Sequence, residues 1–549
     1  MLLSTPLRTL RFPLVALLLF FSVDGLLSQI VDQWDATSEI GGRFYYLTLP
    51  DTTDNTQDSR HTSGRLGDPE SFALLVYSPV AQQVRIGRSG SSGMPVSVEA
   101  GEMVELDLRS LSVPMNTTRN TPSRDVIKVE SAEPIILYVY MSNHFGVAAY
   151  TPLPVEAWGR EYFVAVWPSD YVRNVYPAGE WDYDATEKKS SPSFITIVAA
   201  YDSTEVRIEP TDSLVHCDGC TTITLDRGQS YMVQSFTDTA LASGDRTQPD
   251  LAGTRVTANR PIGLMSGNTR TNIEGPVAPA LAGNAVKDLV VEWIRPIGLH
   301  GTEYVQMPML DGRHPRQEFD AERQREAEIV RLVASSAIPS GGVMIGAGGT
   351  LAIEGGKQID TGAFLEQRLA LTDRVEAHLF RTEEPMQAFQ APKGIIAFRG
   401  TTGSGQFLGA AYDTWGTSLV EMMPRERWSS FAPFRTPSVP ATTKHFVNVV
   451  TEAEDSSHIT IVTPDGPYPF VMNQGAIPGT DLVWGSLPLE SAKSYRLEAN
   501  DSITFSGFVY GVDPGYELHL PGGIDTHDKG RDAAALHPSQ YEEIIAEAY

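Results

Sequence analysis

The chain has 549 residues, far more than one hydrophobic core accommodates, so its length indicates several domains. Apolar residues make up 41 % of the chain and charged residues 20 %, a composition typical of globular rather than disordered proteins. Acidic residues outnumber basic ones 68 to 42, and the net charge of −26 argues against nucleic acid as a partner because a polyanion repels phosphate groups.

The N-terminus has the pattern of a secretory signal. Arg8 and Arg11 precede an unbroken apolar run over residues 12–21. This run is about half of the roughly twenty residues that a membrane-spanning helix needs, so the pattern favours a cleaved signal over residues 1–28, with a retained signal-anchor as the alternative. No later stretch is apolar enough to span a membrane. The sequence therefore predicts a secreted, extracellular or cell-surface protein without a further transmembrane segment.

A degenerate repeat runs through the rest of the chain. A signature that combines a glycine or tryptophan, an aromatic residue and a proline recurs at domain-sized spacing. Its four copies start at Gly42, Gly159, Gly301 and Trp428. Short runs rich in Val, Ile, Thr and aromatic residues, separated by Gly, Pro, Asp and Asn, follow each start and indicate half-buried antiparallel strands.

Each copy is predicted to contain the same series of strands. The residues expected to begin equivalent early strands are Phe72, Phe194, Ile329 and Phe446. Three prolines are each expected to precede an apolar late strand, because proline is tolerated at the first residue of a strand. These prolines are Pro134, Pro261 and Pro385.

The predicted fold class is all-β, with about four tandem, antiparallel, β-sandwich-like units. The predicted boundaries of the units are 29–156, 157–290, 291–425 and 426–523, followed by a tail over residues 524–549. A β-propeller is the rival architecture, but units of this length exceed a single four-stranded blade. A capping box over residues 539–542, after Pro538, predicts a short helix in the tail.

Two loops contain side chains that suit a ligand. Calcium prefers oxygen ligands, and the first loop offers several, although it lacks the spacing and the glycine of an EF-hand. Its residues are Asp51, Asp54, Asn55 and Asp58. The second loop could stack on a sugar and hydrogen-bond it through Glu180, Trp181, Asp182, Tyr183 and Asp184. An ordinary solvated loop is the leading interpretation of both, and no cofactor is predicted.

Two asparagines, Asn116 and Asn500, lie in glycosylation triplets. The chain has only two cysteines, Cys217 and Cys220, which are separated by the turn-forming pair Asp-Gly. In a secreted chain this spacing favours a disulfide at a hairpin tip. A zinc site would need two ligands besides the cysteines, and although His216 is adjacent, no second Cys or His cluster completes it. A thioredoxin-like site would need a helix where the flanking sequence predicts strands.

Several motifs follow one another in an order that resembles a known family. These motifs are Gly42-Arg43-Phe44, Trp158-Gly159-Arg160-Glu161-Tyr162, Asp202-Ser203-Thr204-Glu205-Val206, Asp250-Leu251-Ala252-Gly253-Thr254-Arg255-Val256, Arg260-Pro261-Ile262 and Val509-Tyr510-Gly511. The series is similar to the N-terminal domain family of the IgG Fc-binding mucus protein, over roughly residues 41–523. The resemblance implies an extracellular binding or adhesive module and no known catalyst. It does not imply Fc binding here, and the cysteine-rich domains of the mucus protein are absent from this sequence.

The sequence therefore predicts a secreted or cell-surface, non-catalytic recognition or adhesion protein with an extracellular protein or glycan as partner. The His-Glu-x-x-His, P-loop and Gly-x-Ser-x-Gly signatures of enzymes are absent. A secreted hydrolase of polysaccharides and a structural envelope component are the alternatives. A pocket with paired carboxylates would favour the hydrolase, whereas broad exposed loops would favour binding.

Overall fold

A computed structural model provides the architecture of the chain. It describes residues 41–50, 71–111, 115–143, 146–173, 188–241, 247–271, 288–308, 328–345, 349–350, 358–369, 377–392, 419–436, 444–468, 475–500 and 502–512. Within these ranges the chain consists of strands and of short 3-10 helices, which confirms the all-β prediction. The 3-10 helices are Leu108–Leu111, Val155–Ala157, Ile297–Leu299, Arg425–Arg427 and Ser456–His458. The helix predicted in the tail lies outside the described residues.

The first unit is a seven-stranded antiparallel sheet. Its strands are β1 (Gly42–Leu47), β2 (Ser71–Ser78), β3 (Gln82–Arg88), β4 (Met94–Val98), β5 (Glu102–Asp107), β6 (Ile127–Asn143) and β7 (Gly146–Tyr150). Their order is β4-β3-β6-β2-β5, and β1 and β7 also pair with β6. The long strand β6 thus holds every layer of the unit together.

The second and third units repeat this arrangement. The second contains β8 (Gly159–Phe163), a separate ribbon of β9 (Asp170–Arg173) and β10 (Lys188–Ser191), then β11 (Ser193–Ala199), β12 (Thr204–Glu209), β13 (Thr222–Leu225), β14 (Ser230–Gln234), β15 (Arg255–Thr271) and β16 (Asp288–Trp293). The third contains β17 (Gly301–Gln306), β18 (Glu328–Ala334), β19 (Val343–Ile345), β20 (Gly349–Thr350), β21 (Phe364–Leu369), β22 (His378–Pro392) and β23 (Val420–Glu421). Their sheet orders, β13-β12-β15-β11-β14 and β20-β19-β22-β18-β21, match that of the first unit strand for strand.

The fourth unit has the same strands in two separate sheets. They are β24 (Phe431–Arg435), β25 (Lys444–Glu452), β26 (Thr460–Thr463), β27 (Gly466–Tyr468), β28 (Gly475–Ala476), β29 (Leu482–Leu489), β30 (Ser494–Glu498) and β31 (Phe505–Val512). The sheet orders are β24-β30-β26-β27 and β28-β29-β25-β31. Strands β30 and β31 together take the place of the single long strand of the other units.

The predicted early strands are confirmed, because each named residue lies second or third in β2, β11, β18 or β25. The prediction that a separate late strand starts at each proline is wrong for the first three units. Pro134, Pro261 and Pro385 lie inside the continuous strands β6, β15 and β22. The register with the first strand of the unit shifts just before each proline, so the missing N–H falls where the strand bends between two layers.

A buried tyrosine stabilises this bend in each of the first three units. Its hydroxyl accepts a hydrogen bond from the N–H of the unit's first glycine, at 3.0, 2.9 and 2.8 Å, and donates one to the carbonyl that follows the proline. The three sets are Gly42, Tyr45 and Ile135; Gly159, Tyr162 and Ile262; and Gly301, Tyr304 and Met386. In the fourth unit Ser429 pairs with Phe505 at this place, so that copy starts one residue after the predicted Trp428.

Replacing Tyr162 with phenylalanine should lower the free energy of unfolding by about 1–3 kcal/mol, because the change leaves a buried N–H and a buried carbonyl without their partner. The midpoint of denaturant unfolding measures the effect. Tyr468→Phe is the matched control, since its hydroxyl makes one exposed, 3.4 Å contact with the carbonyl of Pro488. Equal midpoints for the two variants would show that the tyrosine does not hold the bend.

The early strand of each unit is buried on both faces. In β11, Ile195 and Ile197 pack in the core of the second unit, whereas Phe194 and Val198 pack against the first unit. In β2 the residues that face outward, such as Leu75 and Tyr77, pack against the fourth unit. Each unit thus presents one sheet face to its predecessor, and the first presents its face to the last.

Polar contacts follow the same circuit. They comprise a backbone pair between Ser123 and Ser230 at 2.8 Å, an ion pair of Arg331 with Asp250 at 2.8 Å, a bond from Asn448 to the carbonyl of Pro308 at 2.8 Å and one from Tyr138 to the carbonyl of Pro433 at 2.6 Å. They connect the first unit to the second, the second to the third, the third to the fourth and the fourth to the first. The units form a closed ring of contacts, a feature of the rival propeller architecture, although each unit is a larger two-layered sheet.

Candidate binding groove and buried carboxylate cluster

Each of the first three units ends in a 3-10 turn that packs on the unit's own first glycine. The turns Val155–Ala157, Ile297–Leu299 and Arg425–Arg427 follow Pro154, Pro296 and Pro424. A Cβ atom on the first glycine of each unit would lie 2.2–2.3 Å from the Cβ of its proline. Only glycine fits this contact, which explains why the repeat signature contains it.

A glutamate in the turn completes the closure in two of these units. Glu156 Oε1 accepts a hydrogen bond from the N–H of Arg43 at 2.9 Å. Glu426 Oε1 accepts one from the N–H of Thr302 at 2.8 Å. Both N–H groups belong to the residue after the first glycine, where the first strand is out of register with the long strand. The carboxylate therefore supplies an acceptor that the sheet does not.

The second unit has glycine, Gly298, at the position of these glutamates. A Cβ atom on Gly298 would meet no atom within 4 Å. A groove of about 390 Å³ lies here, lined among others by Glu156, Trp158, Arg160, Glu161, Pro296 and Gly298. The groove is the space that a third glutamate would partly fill, and Arg160 is the residue whose N–H corresponds to those of Arg43 and Thr302.

The charges around the groove are mixed. The side chain of Arg160 is exposed, and Arg427 donates to the carbonyl of Gly298 at 2.9 Å. Glu161 pairs with Arg255 at 2.5 Å. Burial raises the pKa of Glu156, while its hydrogen bond from the N–H of Arg43 lowers it.

These two glutamates bear on the hydrolase alternative, since glycosidases use two carboxylates on opposite sides of a cleft. Glu156 holds an N–H of the first unit, as Glu426 does in the third unit, and Glu161 is held by Arg255. Both carboxylates that line the groove therefore have structural partners.

A cluster of buried ionisable residues includes two neighbours of the groove in the sequence. Arg295 directly precedes Pro296, and His300 directly follows the turn Ile297–Leu299. Glu292 and Glu421, on the last strands of the second and third units, are each 2 % exposed. Glu421 Oε2 accepts from the N–H of Arg295 at 3.1 Å, and the N–H of Glu421 lies 3.5 Å from Glu292 Oε2. Gln387 donates to Glu421 Oε1 at 2.9 Å.

The cluster holds one excess carboxylate. Burial, reinforced by the charge of Glu421, raises the pKa of Glu292 to about 8, whereas Arg295 lowers it. Burial also raises the pKa of Glu421, against the opposing effect of Arg295. Burial lowers the pKa of His300 to about 3, so its imidazole is neutral at pH 7. At neutral pH, Glu292 therefore carries a proton. The hydrogen bonds of the cluster connect the second unit to the third.

Of the predicted site residues, the structure describes Asn116, Asn500, Cys217 and Cys220. Residues 51–58, with the calcium candidates Asp51, Asp54, Asn55 and Asp58, lie outside the described residues, and so does the sugar candidate patch over residues 180–184. Asn116 is fully buried, and its Nδ2 donates to Ser230 Oγ at 3.3 Å, so the fold argues against a glycan on this nitrogen. Asn500 is exposed, and its glycosylation stays a prediction.

Cys217 and Cys220 lie in the connection between β12 and β13, where a hairpin was expected. Their Cα atoms are 5.1 Å apart with the sulfur atoms at bonding distance, and Gly219 between them has a φ of +73°. We expect the exported protein to contain this disulfide, with no free thiol in mass spectra.

Replacing both cysteines with serine should lower the free energy of unfolding by at most about 2 kcal/mol, because loop-closure entropy is small for so short a loop. Two free thiols in the native protein would refute the bond. A change in the unfolding midpoint comparable to that of a long-loop disulfide would refute the account of its stability.

Among the described residues, no group of three or more His, Cys, Asp or Glu side chains is arranged to hold a metal ion. The part of the chain that the structure describes also contains no helix with the length and apolar character needed to cross a bilayer.

Sequence reasoning missed Gly298, Glu156 and Glu426. The available signal was the second residue after the proline of each turn, which is glutamate in two units and glycine in the second. The significance of this difference depends on the strand that the turn contacts, and that strand lies far away in the chain.

Comparison with known proteins gives one family. A family model described as IgGFc binding protein matches residues 148–511. No curated protein sequence matches the chain. A solved structure of a glycoside hydrolase of family 32 from Bifidobacterium adolescentis aligns with 9 % identity over 85 % of this chain and 99 % of that one, but its TM-score of 0.13 is too low to carry an argument.

Proposed function

The chain belongs to the IgGFc-binding protein family, and from this premise we propose that it is a secreted or cell-surface protein that recognises or adheres to an extracellular partner without catalysis. The partner is an extracellular protein or a glycan-bearing surface. The signal over residues 1–28 directs the chain outside the cell, and the four units act as one recognition body.

The observation that carries this proposal is the open groove beside Gly298. It is a surface cleft lined by polar and apolar residues, and binding sites are typically concave with a few polar groups among apolar ones. Its two lining glutamates already have structural partners, which supports binding over hydrolysis.

The unit boundaries belong to the same proposal. Because β16 (Asp288–Trp293) pairs within the sheet of the second unit, we place the end of that unit at Pro296 rather than at residue 290. The turns that follow Pro154 and Pro424 support the other two boundaries. Binding would then fall at loops and at the joints between units.

A direct binding screen tests the function. The mature protein is immobilised and probed with a panel of secreted and surface proteins, which includes immunoglobulin G Fc because of the family's description, and with a glycan array. We expect saturable binding to at least one member, lost when the protein is unfolded beforehand. Release of sugar products from a polysaccharide panel, or the absence of any saturable ligand across both panels, would overturn the proposal.

A further inference from the structure

We propose that the groove of the second unit binds a carboxylate of the partner, namely an aspartate or glutamate side chain of an extracellular protein, in the place that Glu156 and Glu426 occupy in the neighbouring units. This inference rests on the proposed function and names the chemistry of its site. The partner supplies from outside the acceptor that the first and third units contain within their own chain.

The first support is the equivalence of the three closures. Arg43, Arg160 and Thr302 each follow the first glycine of their unit, and each lies at a register shift between the first strand and the long strand. In two of the three, a carboxylate oxygen accepts from this N–H at 2.8–2.9 Å. The same backbone arrangement thus occurs in three units, and in two of them a glutamate of the chain binds to it.

The second support is the space beside Gly298. The first glycines of the neighbouring units each have a glutamate oxygen within 2.6–2.8 Å of a Cβ built on them, whereas the three atoms nearest to a Cβ on Gly159 all belong to Pro296. The groove of about 390 Å³ accommodates a carboxylate together with the side chain that bears it. Buried Trp158 and half-buried Ile297 provide apolar contact for that side chain.

The third support is the local charge. Among the described residues no carboxylate pairs with the exposed guanidinium of Arg160, while Glu161 of the same groove is held by Arg255 at 2.5 Å. Arg427 lies at the rim, where it donates to the carbonyl of Gly298. An incoming carboxylate could accept from a backbone N–H and from a guanidinium, the pairing that gives the strongest hydrogen bonds in proteins.

The test reads the N–H of Arg160 directly. Protein labelled with carbonyl carbon-13 on glycine and nitrogen-15 on arginine shows only those arginines that follow a glycine, which include Arg160 and Arg43. The probe is N-acetyl-glutamate amide, compared with N-acetyl-glutamine amide. We expect the Arg160 amide proton to move downfield saturably, with a Kd about tenfold lower for the glutamate probe. The Arg43 amide, already bonded to Glu156, should not respond.

Two substitutions provide the matched variants. Gly298→Glu should move the Arg160 amide downfield without any probe and abolish the response, because the chain then supplies its own carboxylate. Gly298→Ala should respond as the native protein does, since its Cβ meets no atom within 4 Å and it brings no acceptor. If Gly298→Glu fails to fold, the titrations of the native protein and of Gly298→Ala still decide. If the Arg160 amide does not respond to the glutamate probe in either the native protein or Gly298→Ala, the proposal is wrong.

A last arm distinguishes the source of the carboxylate and separates this inference from the proposed function. Glucuronic acid that binds as tightly as the glutamate probe would overturn the assignment to a protein. If the binding screen finds a partner that Gly298→Glu binds as well as the native protein, the groove inference fails while the function stands. If the screen finds none and Arg160 still responds to glutamate, the function fails while the carboxylate site stands. A loss of partner binding of at least about tenfold in Gly298→Glu alone supports both.

Discussion

Replacing Arg331 with leucine should lower the free energy of unfolding by about 3–5 kcal/mol, the largest effect we expect from a single side chain of this protein. The guanidinium is 4 % exposed and pairs with Asp250 and Glu366, each at 2.8 Å. It also lies 4.8 Å from the ring centroid of Trp167. Its removal leaves two partly buried carboxylates without a counter-charge at the contact between the second and third units.

The ring of contacts makes this position unusual. In each unit, one residue of the early strand pairs with the same position of the long strand, or of β31 in the fourth unit. In the first, second and fourth units this residue is Leu75, Thr196 and Asn448. Arg331 is the charged member of the set. Burial raises the pKa of Asp250, and the charge of Arg331 opposes this increase.

Denaturant unfolding monitored at neutral pH measures the effect. The matched control is Arg207→Leu, because Arg207 pairs with Glu209 at 3.0 Å but is 69 % exposed, and such surface pairs contribute less than about 1 kcal/mol. The double variant Arg331→Leu with Asp250→Asn should recover part of the loss by removing one stranded charge. Equal losses for Arg331→Leu and Arg207→Leu would contradict the account.

Replacing Glu292 with glutamine should change how the stability of the protein depends on pH. The folded protein holds a proton on Glu292 up to about pH 8, whereas the unfolded chain releases it near the ordinary value of 4.5. Between these values Glu292 binds more protons in the folded state than in the unfolded chain, so the contribution of this group to stability falls as the pH rises. The titratable and charged groups that interact with this carboxyl group are Glu421, Arg295 and Tyr150.

Glutamine retains the shape and cannot ionise, so this downward slope should disappear. At pH 8 the variant should exceed the native protein in stability by an amount on the order of 1–4 kcal/mol, since each pKa unit corresponds to about 1.4 kcal/mol. At pH 4.5 the two should be nearly equal. Unfolding midpoints recorded from pH 4.5 to 8.5 measure the difference. Glu133→Gln, at a side chain 54 % exposed, serves as control and should run parallel to the native protein. A parallel profile for Glu292→Gln would show that Glu292 is ionised in the fold.

Much of the fold could be predicted from the pattern of apolar residues in the strands. The apolar runs around Phe72, Phe194, Ile329 and Phe446 were sufficient to find equivalent strands, because buried strands have a characteristic pattern of apolar residues in the sequence. The prolines misled the prediction. Within sheets, proline is largely confined to edge strands, bulges and the first residue of a strand, so the prediction started a new strand at each one. The sequence does not reveal that a tyrosine hydroxyl from the start of the unit would bind the next carbonyl and let the strand continue.

The candidate site was less accessible to sequence reasoning. The significance of Gly298 emerges only from comparison with Glu156 and Glu426 in the neighbouring units. The role of these glutamates depends on hydrogen bonds to strands more than a hundred residues earlier in the chain. Asn116 illustrates the same limit, because its glycosylation triplet gives no information on burial. Local motifs identify chemistry, whereas accessibility depends on contacts that are distant in the chain.

The closed circuit of units also has a consequence for how the protein is made. The face of β2 that carries Leu75 and Tyr77 is synthesised first and covered last, by a unit whose bond from Tyr138 to Pro433 spans 295 residues. During synthesis this apolar face has no partner until nearly the whole chain is available. A chain that stops after the third unit keeps the face exposed, which marks it for chaperones and proteases. Closure of the ring therefore acts as a check that the chain is complete.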